Sequence, residues 1–167
     1  MTLLNILYLP DARLRKMSTP VVEFNDNLQE LIDNMFQTMY HAKGVGLAAP
    51  QIGVNIRLCV VDVSEGKNHP QVFINPEITD HSGLEKYQEG CLSVPGAFET
   101  VERYKNITIK ALDRHYQPFE ISCDGLLAEC LQHEIDHLNG KLFIDLLTPI
   151  KKDRARKSFE KYIKSKQ

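Results

Sequence analysis

The sequence predicts an α+β fold, in which antiparallel or mixed sheets pack around a central helix between an amphipathic N-terminal helix and a helical C-terminal tail. The middle of the chain contains four strand-like runs separated by turn-forming residues, namely 56–63, 72–75, 107–112 and 119–123. No long helical pattern interrupts these runs, which favours antiparallel pairing over alternating strands and helices. The 167 residues are enough for one domain with its own core, so we expect a single domain over 1–167.

The N-terminal helix is predicted by the spacing of its apolar residues. Between Leu28 and Tyr40 apolar side chains recur at intervals of three and four residues, which places them on one face of a helix. Either Asn25 or Asp26 can cap the start of this helix, and Gly44 can end it. We expect the helix to be scaffold, with its apolar face against the core.

The central helix is predicted between Asp124 and Gly140, and it contains two histidines and an acidic residue in a distinctive pattern. His133 and His137 stand four residues apart, so a helix presents both imidazoles on one face, within reach of one metal ion. Glu134 lies about 100° further round the helix, where it can reach a metal-bound water without being a ligand. This is the HExxH arrangement of metal-dependent hydrolases.

The third metal ligand is not evident from the HExxH stretch itself. A catalytic metal of the zinc or ferrous type usually takes three protein ligands and leaves a position for water. In the protease pattern HExxHxxGxxH the last position would be Phe143, which cannot bind metal. A second protease class takes a glutamate from a later helix, and here only Glu160 has a suitable spacing. Cys91 is the remaining soft donor, in a turn-rich segment, and a thiolate suits a site with two imidazoles.

The cysteines and residues 1–10 indicate where in the cell the protein is located. Cys59, Cys91, Cys123 and Cys130 form no CxxC pair, and residues 1–10 lack the basic region and cleavage site of a signal peptide. We therefore expect free thiols, a cytoplasmic location and no membrane association. Cys59 and Cys123 lie in apolar runs and are expected to be small core residues.

Charge is unevenly distributed along the chain. Residues 151–167 contain eight basic and two acidic side chains, a net charge of +6, whereas the preceding 150 residues have a net charge of −8. A basic helical tail on an acidic body indicates either a polyanionic partner or a solvated helix face.

Three motifs resemble, in order and spacing, the signature motifs of the bacterial peptide deformylases. They are Gly-Val-Gly-Leu-Ala-Ala-Pro-Gln at 44–51, Glu-Gly-Cys-Leu-Ser at 89–93 and Gln-His-Glu-Ile-Asp-His at 132–137. The resemblance implies that Cys91, His133 and His137 bind one divalent metal ion, ferrous iron in the cell, for which zinc, nickel or cobalt can substitute. The chain departs from some relatives at 96–98, where it has Gly-Ala-Phe and those relatives carry an arginine that meets the substrate backbone.

The resemblance also implies a reaction, the removal of the formyl group from the N-terminal formyl-methionine of nascent polypeptides, with release of formate. Glu134 would move the proton between water and the departing amine, and the Gln51 side chain and the Leu92 backbone N–H would stabilise charge on the formyl oxygen. The basic tail would contact ribosomal RNA. The substrate would lie extended beside Gly46, with its methionine side chain in a pocket formed by Val45, Leu126, Glu129 and Cys130.

Two other functions fit parts of the sequence. A zincin-like endopeptidase that uses Glu160 would cleave internal, unformylated peptide bonds, so a comparison of substrates separates it. The second alternative is an interaction module that is stabilised by a metal and binds RNA through its tail. Structural metal sites usually have four protein ligands. Here a convincing fourth ligand is lacking, and a general base, Glu134, is adjacent to a candidate ligand.

Overall fold

The computed structural model of the chain describes residues 2–167, which form one five-stranded antiparallel sheet and three α-helices. The strands lie in the sheet in the order in which they occur along the chain. Their bounds are β1 (Gly46–Ala48), β2 (Leu58–Val61), β3 (Gln71–Cys91), β4 (Val94–Leu112) and β5 (Pro118–Cys123). The helices are α1 (Asp26–His41), α2 (Gly125–Leu138) and α3 (Pro149–Ser165). The predicted α+β class with antiparallel pairing is confirmed, and α2 contains the HExxH stretch.

The helices α1 and α2 cover opposite faces of the sheet. Successive side chains of a strand point to opposite faces. Leu58 and Val60 of β2 accordingly pack in one cluster with the apolar face of α1, whereas Cys59 and Val61 pack with α2. The sheet is therefore buried on both faces at β2, and its second face supports the helix that holds the histidines.

The strands β3 and β4 form a long ribbon that the sequence did not predict. The predicted runs 72–75 and 107–112 are only the ends of strands of 21 and 19 residues. Residues 77–88 of β3 are mostly polar and largely exposed on both faces, so they lack the alternating pattern from which a strand is recognised. The turn-rich segment around Cys91 consists of the two strand ends and the tight turn between them.

The predicted basic tail is helical and packs on the body of the protein. Ala155 and Phe159 of α3 are buried in a third cluster with Val94, Ala97 and Phe143. Before α3, Leu142 leads into a 3₁₀ turn, Phe143–Leu146. The exposed basic residues of the tail therefore belong to a helix with one buried face.

Cys59 and Cys123, both predicted to be core residues, differ in burial. Cys59 is fully buried, as predicted, whereas Cys123 is only partly buried because it lies at the end of β5, one of the two edge strands. In the part of the chain that the structure describes, no helix combines the length and apolar character needed to cross a lipid bilayer.

Candidate metal centre

Cys91, His133 and His137 meet between α2 and the end of β3. Their donor atoms all lie within 4.8 Å of one another. The Sγ atom of Cys91 is 3.4 Å from Nε2 of His137, which is 3.2 Å from Nε2 of His133. Donors around a tetrahedral ion lie about 3.3–3.6 Å apart when the metal–ligand bonds are about 2.0–2.3 Å long. The spacing and chemistry of these three donors therefore fit one divalent metal ion.

The surroundings of Cys91 and His137 hold their donor atoms towards the cluster. The backbone N–H of Ser93 donates to Sγ of Cys91 at 3.4 Å. Burial lowers the pKa of His137 well below its ordinary value. The Nδ1 atom of His137 is buried and has no hydrogen-bond partner within residues 2–167. A buried neutral imidazole with Nε2 directed at a thiolate is a typical metal ligand.

A buried ionic network orients His133. The Nδ1 atom of His133 lies 2.9 Å from Oε1 of Glu89. Arg103 donates to both oxygens of Glu89, at 2.5 and 2.8 Å, and to Asp136 at 2.9 Å. Burial opposes ionisation of Glu89, but the hydrogen bonds from Arg103 and His133 lower its pKa to about 2. A carboxylate thus accepts the Nδ1–H of His133 and leaves Nε2 for a metal.

This network was not predicted from the sequence. Glu89 and Asp136 stand inside two of the motifs, but the motifs do not show that these residues share one arginine. Arg103 lies 14 residues after Glu89 and 33 residues before Asp136. Only the antiparallel pairing of β3 with β4 places its side chain between them.

Glu134 is buried beside the three donors. Its Oε1 atom has no hydrogen-bond partner in the described chain, and burial raises the pKa of this carboxyl to about 7. A Cβ atom at Gly46 would lie 2.5 Å from Oε2 of Glu134 and 2.7 Å from Sγ of Cys130. Only glycine therefore allows the edge strand β1 to lie this close to the carboxyl group.

Gln51 is held with its amide nitrogen towards the donors. Its Oε1 atom accepts the backbone N–H of Ala48 at 2.9 Å, and its Nε2 atom lies 3.1 Å from Oγ of Ser93 and 3.8 Å from Sγ of Cys91. Leu92 follows Cys91 in the tight turn, and its side chain packs against Gly44. The role of Ser93 was not predicted, although the residue lies in the second motif and its Oγ atom accepts the hydrogen bond from Gln51.

The residues predicted to line a substrate pocket lie directly before β1 and in the first half of α2, and one of them is at the surface. Cys130 is buried 3.8 Å from the carbonyl oxygen of Val45. Glu129 is nearly buried, and burial followed by the charge of Glu89 raises its pKa to about 7. Leu126, in the first turn of α2, is 50% exposed.

Neither of the two protease patterns supplies a third metal ligand. The ring of Phe143 stacks on His133 with a centroid distance of 6.3 Å, so this position packs against a candidate ligand. Glu160 is exposed on α3. Among residues 2–167, Cys91, His133 and His137 are the group of side chains able to hold a metal ion.

Comparisons with known proteins identify the family of the chain. A family model described as polypeptide deformylase matches residues 3–153. The peptide deformylase of Azotobacter vinelandii is 56% identical over 164 residues, which cover 96% of each protein. The crystal structure of a peptide deformylase from Legionella pneumophila is 56% identical, with a TM-score of 0.96 and coverage of 99% of this chain and 98% of that one. A peptide deformylase from Ehrlichia chaffeensis, in complex with actinonin, is 41% identical, with a TM-score of 0.91 over 97% of this chain and 98% of that one. The chain therefore belongs to the polypeptide deformylase family.

Proposed function

We propose that this protein removes the formyl group from the N-terminal formyl-methionine of nascent polypeptides and releases formate. The supporting observation is the cluster of Cys91, His133 and His137 with the buried carboxyl of Glu134 beside it. Membership of the polypeptide deformylase family adds the substrate class. A cytoplasmic location, where nascent chains are made, belongs to the same proposal.

Cys91, His133 and His137 would hold one divalent ion, ferrous iron in the cell, with zinc, nickel or cobalt able to replace it. One thiolate and two neutral imidazoles suit these metals better than the harder magnesium or calcium. When bound, such an ion lowers the pKa of water and polarises a carbonyl oxygen.

The side chains around the cluster can perform the proton transfers. Glu134 takes a proton from water as the water oxygen adds to the formyl carbon, and returns it to the amide nitrogen as the carbon–nitrogen bond breaks. A buried carboxyl with a pKa near neutrality suits both steps. The Nε2 group of Gln51 and the backbone N–H of Leu92 donate to the negative charge that develops on the formyl oxygen, and one such donor typically contributes about 3 kcal/mol.

The edge of the sheet offers a place for the peptide. In the described residues β1 pairs only with β2, so its other edge can add an extended peptide as a further strand. Gly46 brings that edge next to Glu134. The methionine side chain would enter the pocket formed by Val45, Leu126, Glu129 and Cys130.

The function is tested by formate release after anaerobic purification, with metal analysis of the same sample. The protein, loaded with ferrous iron, should release formate from formyl-Met-Ala-Ser and leave unformylated Met-Ala-Ser intact. Treatment with a chelator should abolish the activity, and adding iron back should restore it. Absence of formate from the iron-loaded protein would overturn the proposal. Cleavage of internal bonds in an unformylated peptide would instead favour an endopeptidase.

The basic tail supports a proposed contact with ribosomal RNA. Within residues 2–167, Lys161 and Lys164 of α3 are exposed and form no salt bridge, whereas Lys157 pairs with Asp153. Phe159, on the opposite side of α3, is buried. We therefore propose that the tail is part of one catalytic domain over 1–167. Its removal would expose core, so charge substitution is a cleaner test than truncation.

The double substitution Lys161→Glu and Lys164→Glu should weaken co-sedimentation with ribosomes. Fewer phosphates would be neutralised, so the slope of log affinity against log salt should fall by about 1–2. Formate release from formyl-Met-Ala-Ser should stay unchanged. Lys86→Glu with Lys105→Glu, on the exposed ribbon, makes the same charge change and serves as the control. An equal loss in both variants would show that only net charge matters.

A further inference from the structure

Ser93 lies in the tight turn after Cys91 and is fully buried. Its backbone N–H donates to Sγ of Cys91 at 3.4 Å, and its carbonyl oxygen accepts the backbone N–H of Leu9 at 3.1 Å. Its hydroxyl oxygen lies 3.1 Å from Nε2 of Gln51. The main chain of Ser93 therefore contacts a candidate metal ligand, whereas its side chain contacts the candidate donor to the formyl oxygen.

The direction of the hydrogen bond between Gln51 and Ser93 follows from the contacts of the amide group. The oxygen of a glutamine side chain can only accept hydrogen bonds, and its NH₂ group can only donate them. Oε1 of Gln51 accepts the backbone N–H of Ala48 at 2.9 Å, which places the nitrogen at the end that faces Ser93. The hydroxyl oxygen of Ser93 thus accepts one N–H of Gln51 and leaves the other N–H for a different partner.

The second N–H of Gln51 belongs to a nitrogen that lies beside the metal ligands. Nε2 is 3.8 Å from Sγ of Cys91, which is one of the three donor atoms that lie within 4.8 Å of one another. The two N–H bonds of a planar amide diverge, so the bond to Ser93 determines where the other N–H points. Both Gln51 and Ser93 are buried, so bulk water does not replace the hydroxyl if it is removed.

The main chains of Gln51 and Ser93 are held by contacts that do not involve the hydroxyl. The backbone N–H of Leu7 donates to the carbonyl oxygen of Gln51 at 2.7 Å, and that of Leu9 donates to the carbonyl oxygen of Ser93. The last side-chain torsion of glutamine has only a broad preference of its own. Hydrogen bonds at both ends of the amide therefore fix its orientation, and the hydroxyl of Ser93 supplies one of them.

We propose that Ser93 is a positioning residue for the deformylase reaction, and that its hydroxyl holds one N–H of Gln51 so that the other is directed at the formyl oxygen. A donor that is already oriented stabilises the developing charge without having to rotate during the reaction. This inference rests on the proposed deformylase function and gives Ser93 a role that acts through Gln51.

The substitution Ser93→Ala should lower kcat for formate release from formyl-Met-Ala-Ser about five- to tenfold, which is the usual contribution of one hydrogen bond. KM should change little, because the positioned N–H meets negative charge only in the transition state. Metal content should stay unchanged, since alanine keeps the backbone N–H that contacts Cys91. Equal kcat in Ser93→Ala and the unmodified protein would overturn the proposal.

Ser18→Ala is the matched control. Ser18 is 3% exposed, and its hydroxyl has no hydrogen-bond partner among residues 2–167. The change removes the same atom from the interior of the protein, so thermal unfolding and kcat should stay close to those of the unmodified protein. An equal loss of kcat in Ser18→Ala and Ser93→Ala would overturn the proposal, because any buried hydroxyl would then have the same effect.

A double variant tests whether Ser93 acts through Gln51. Gln51→Ala removes the amide, and Ser93→Ala in that background should not lower kcat further, because the group that the hydroxyl positions is absent. The same fold loss from Ser93→Ala in both backgrounds would show that Ser93 acts independently of Gln51, and would overturn the proposal.

Nuclear magnetic resonance of zinc-loaded, ¹⁵N-labelled protein gives a readout that does not depend on activity. The side-chain NH₂ signal of Gln51 is identified by its loss in Gln51→Ala. In Ser93→Ala one of its two proton resonances should shift, since that proton loses its acceptor, and an unshifted signal would overturn the proposal. Absence of formate from the unmodified protein would instead refute the proposed function, while this signal would still show whether Ser93 orients the amide.

Discussion

The substitution Glu134→Gln should lower kcat for formate release by about 10²–10⁴-fold. The amide has nearly the same size as the carboxylate and should preserve the contact with Cys130, which lies 3.9 Å from Oε2. It cannot accept the proton from water, so the barrier rises while the three donors remain in place. The measurement is kcat and KM on formyl-Met-Ala-Ser, with metal analysis of the same sample.

A matched control is Glu160→Gln on the surface of α3. This change has the same chemistry, and it also tests the residue that an endopeptidase of the zincin type would use as a ligand. We expect unchanged metal content and unchanged turnover for Glu160→Gln. Near-normal turnover in Glu134→Gln would refute the role of Glu134 as the general base.

The substitution Arg103→Leu should have the largest effect on stability. Arg103 is 6% exposed, and its guanidinium pairs with Glu89 and Asp136. Removing one partner of a buried ion pair typically costs about 3–5 kcal/mol, because the remaining charge stays buried without compensation. Unfolding by urea, followed by circular dichroism, should show a lower midpoint in Arg103→Leu.

Two further variants test whether the effect is specific to the buried network of Arg103, Glu89 and Asp136. Arg154→Leu breaks the bidentate pair with Glu99 at the surface and should cost much less, since water screens an exposed guanidinium. Glu89→Gln keeps an oxygen that can accept the Nδ1–H of His133, but it removes the negative charge. Loss of a group that hydrogen-bonds to a metal ligand typically lowers metal affinity about 10–100-fold, so we expect a loss of this size. Equal stability of Arg103→Leu and the unmodified protein, or unchanged metal affinity in Glu89→Gln, would contradict the role assigned to this network.

The parts of the fold that the sequence predicts well depend on local patterns. The periodic apolar face of α1 and the histidine spacing in α2 are set by residues close together in the chain, and both helices occur where expected. Cys91 was predicted to be the third metal ligand because Phe143 and Glu160 are unsuitable and because its motif resembles that of the family. Its Sγ atom lies in the cluster with both histidines.

The parts that the sequence did not predict depend on long-range pairing. The polar ribbon of β3 and β4 lacks alternation, because both of its faces meet water over much of its length. Arg103 reaches Glu89 only through the register of these two strands. The path of the N-terminal segment was not predicted either, since hydrogen bonds from Leu7 and Leu9 to distant residues position it.

The position of the donor atoms on two distant parts of the chain has a thermodynamic consequence. Cys91 and His137 are 46 residues apart in sequence, so an ion bound to both acts as a cross-link between the end of β3 and α2. An unfolded chain does not present these donors together, and a ligand that binds only the folded state stabilises it in proportion to the logarithm of its free concentration. The melting temperature of this protein is therefore a function of the free metal concentration in the buffer, and values measured with and without a chelator describe two different folding equilibria.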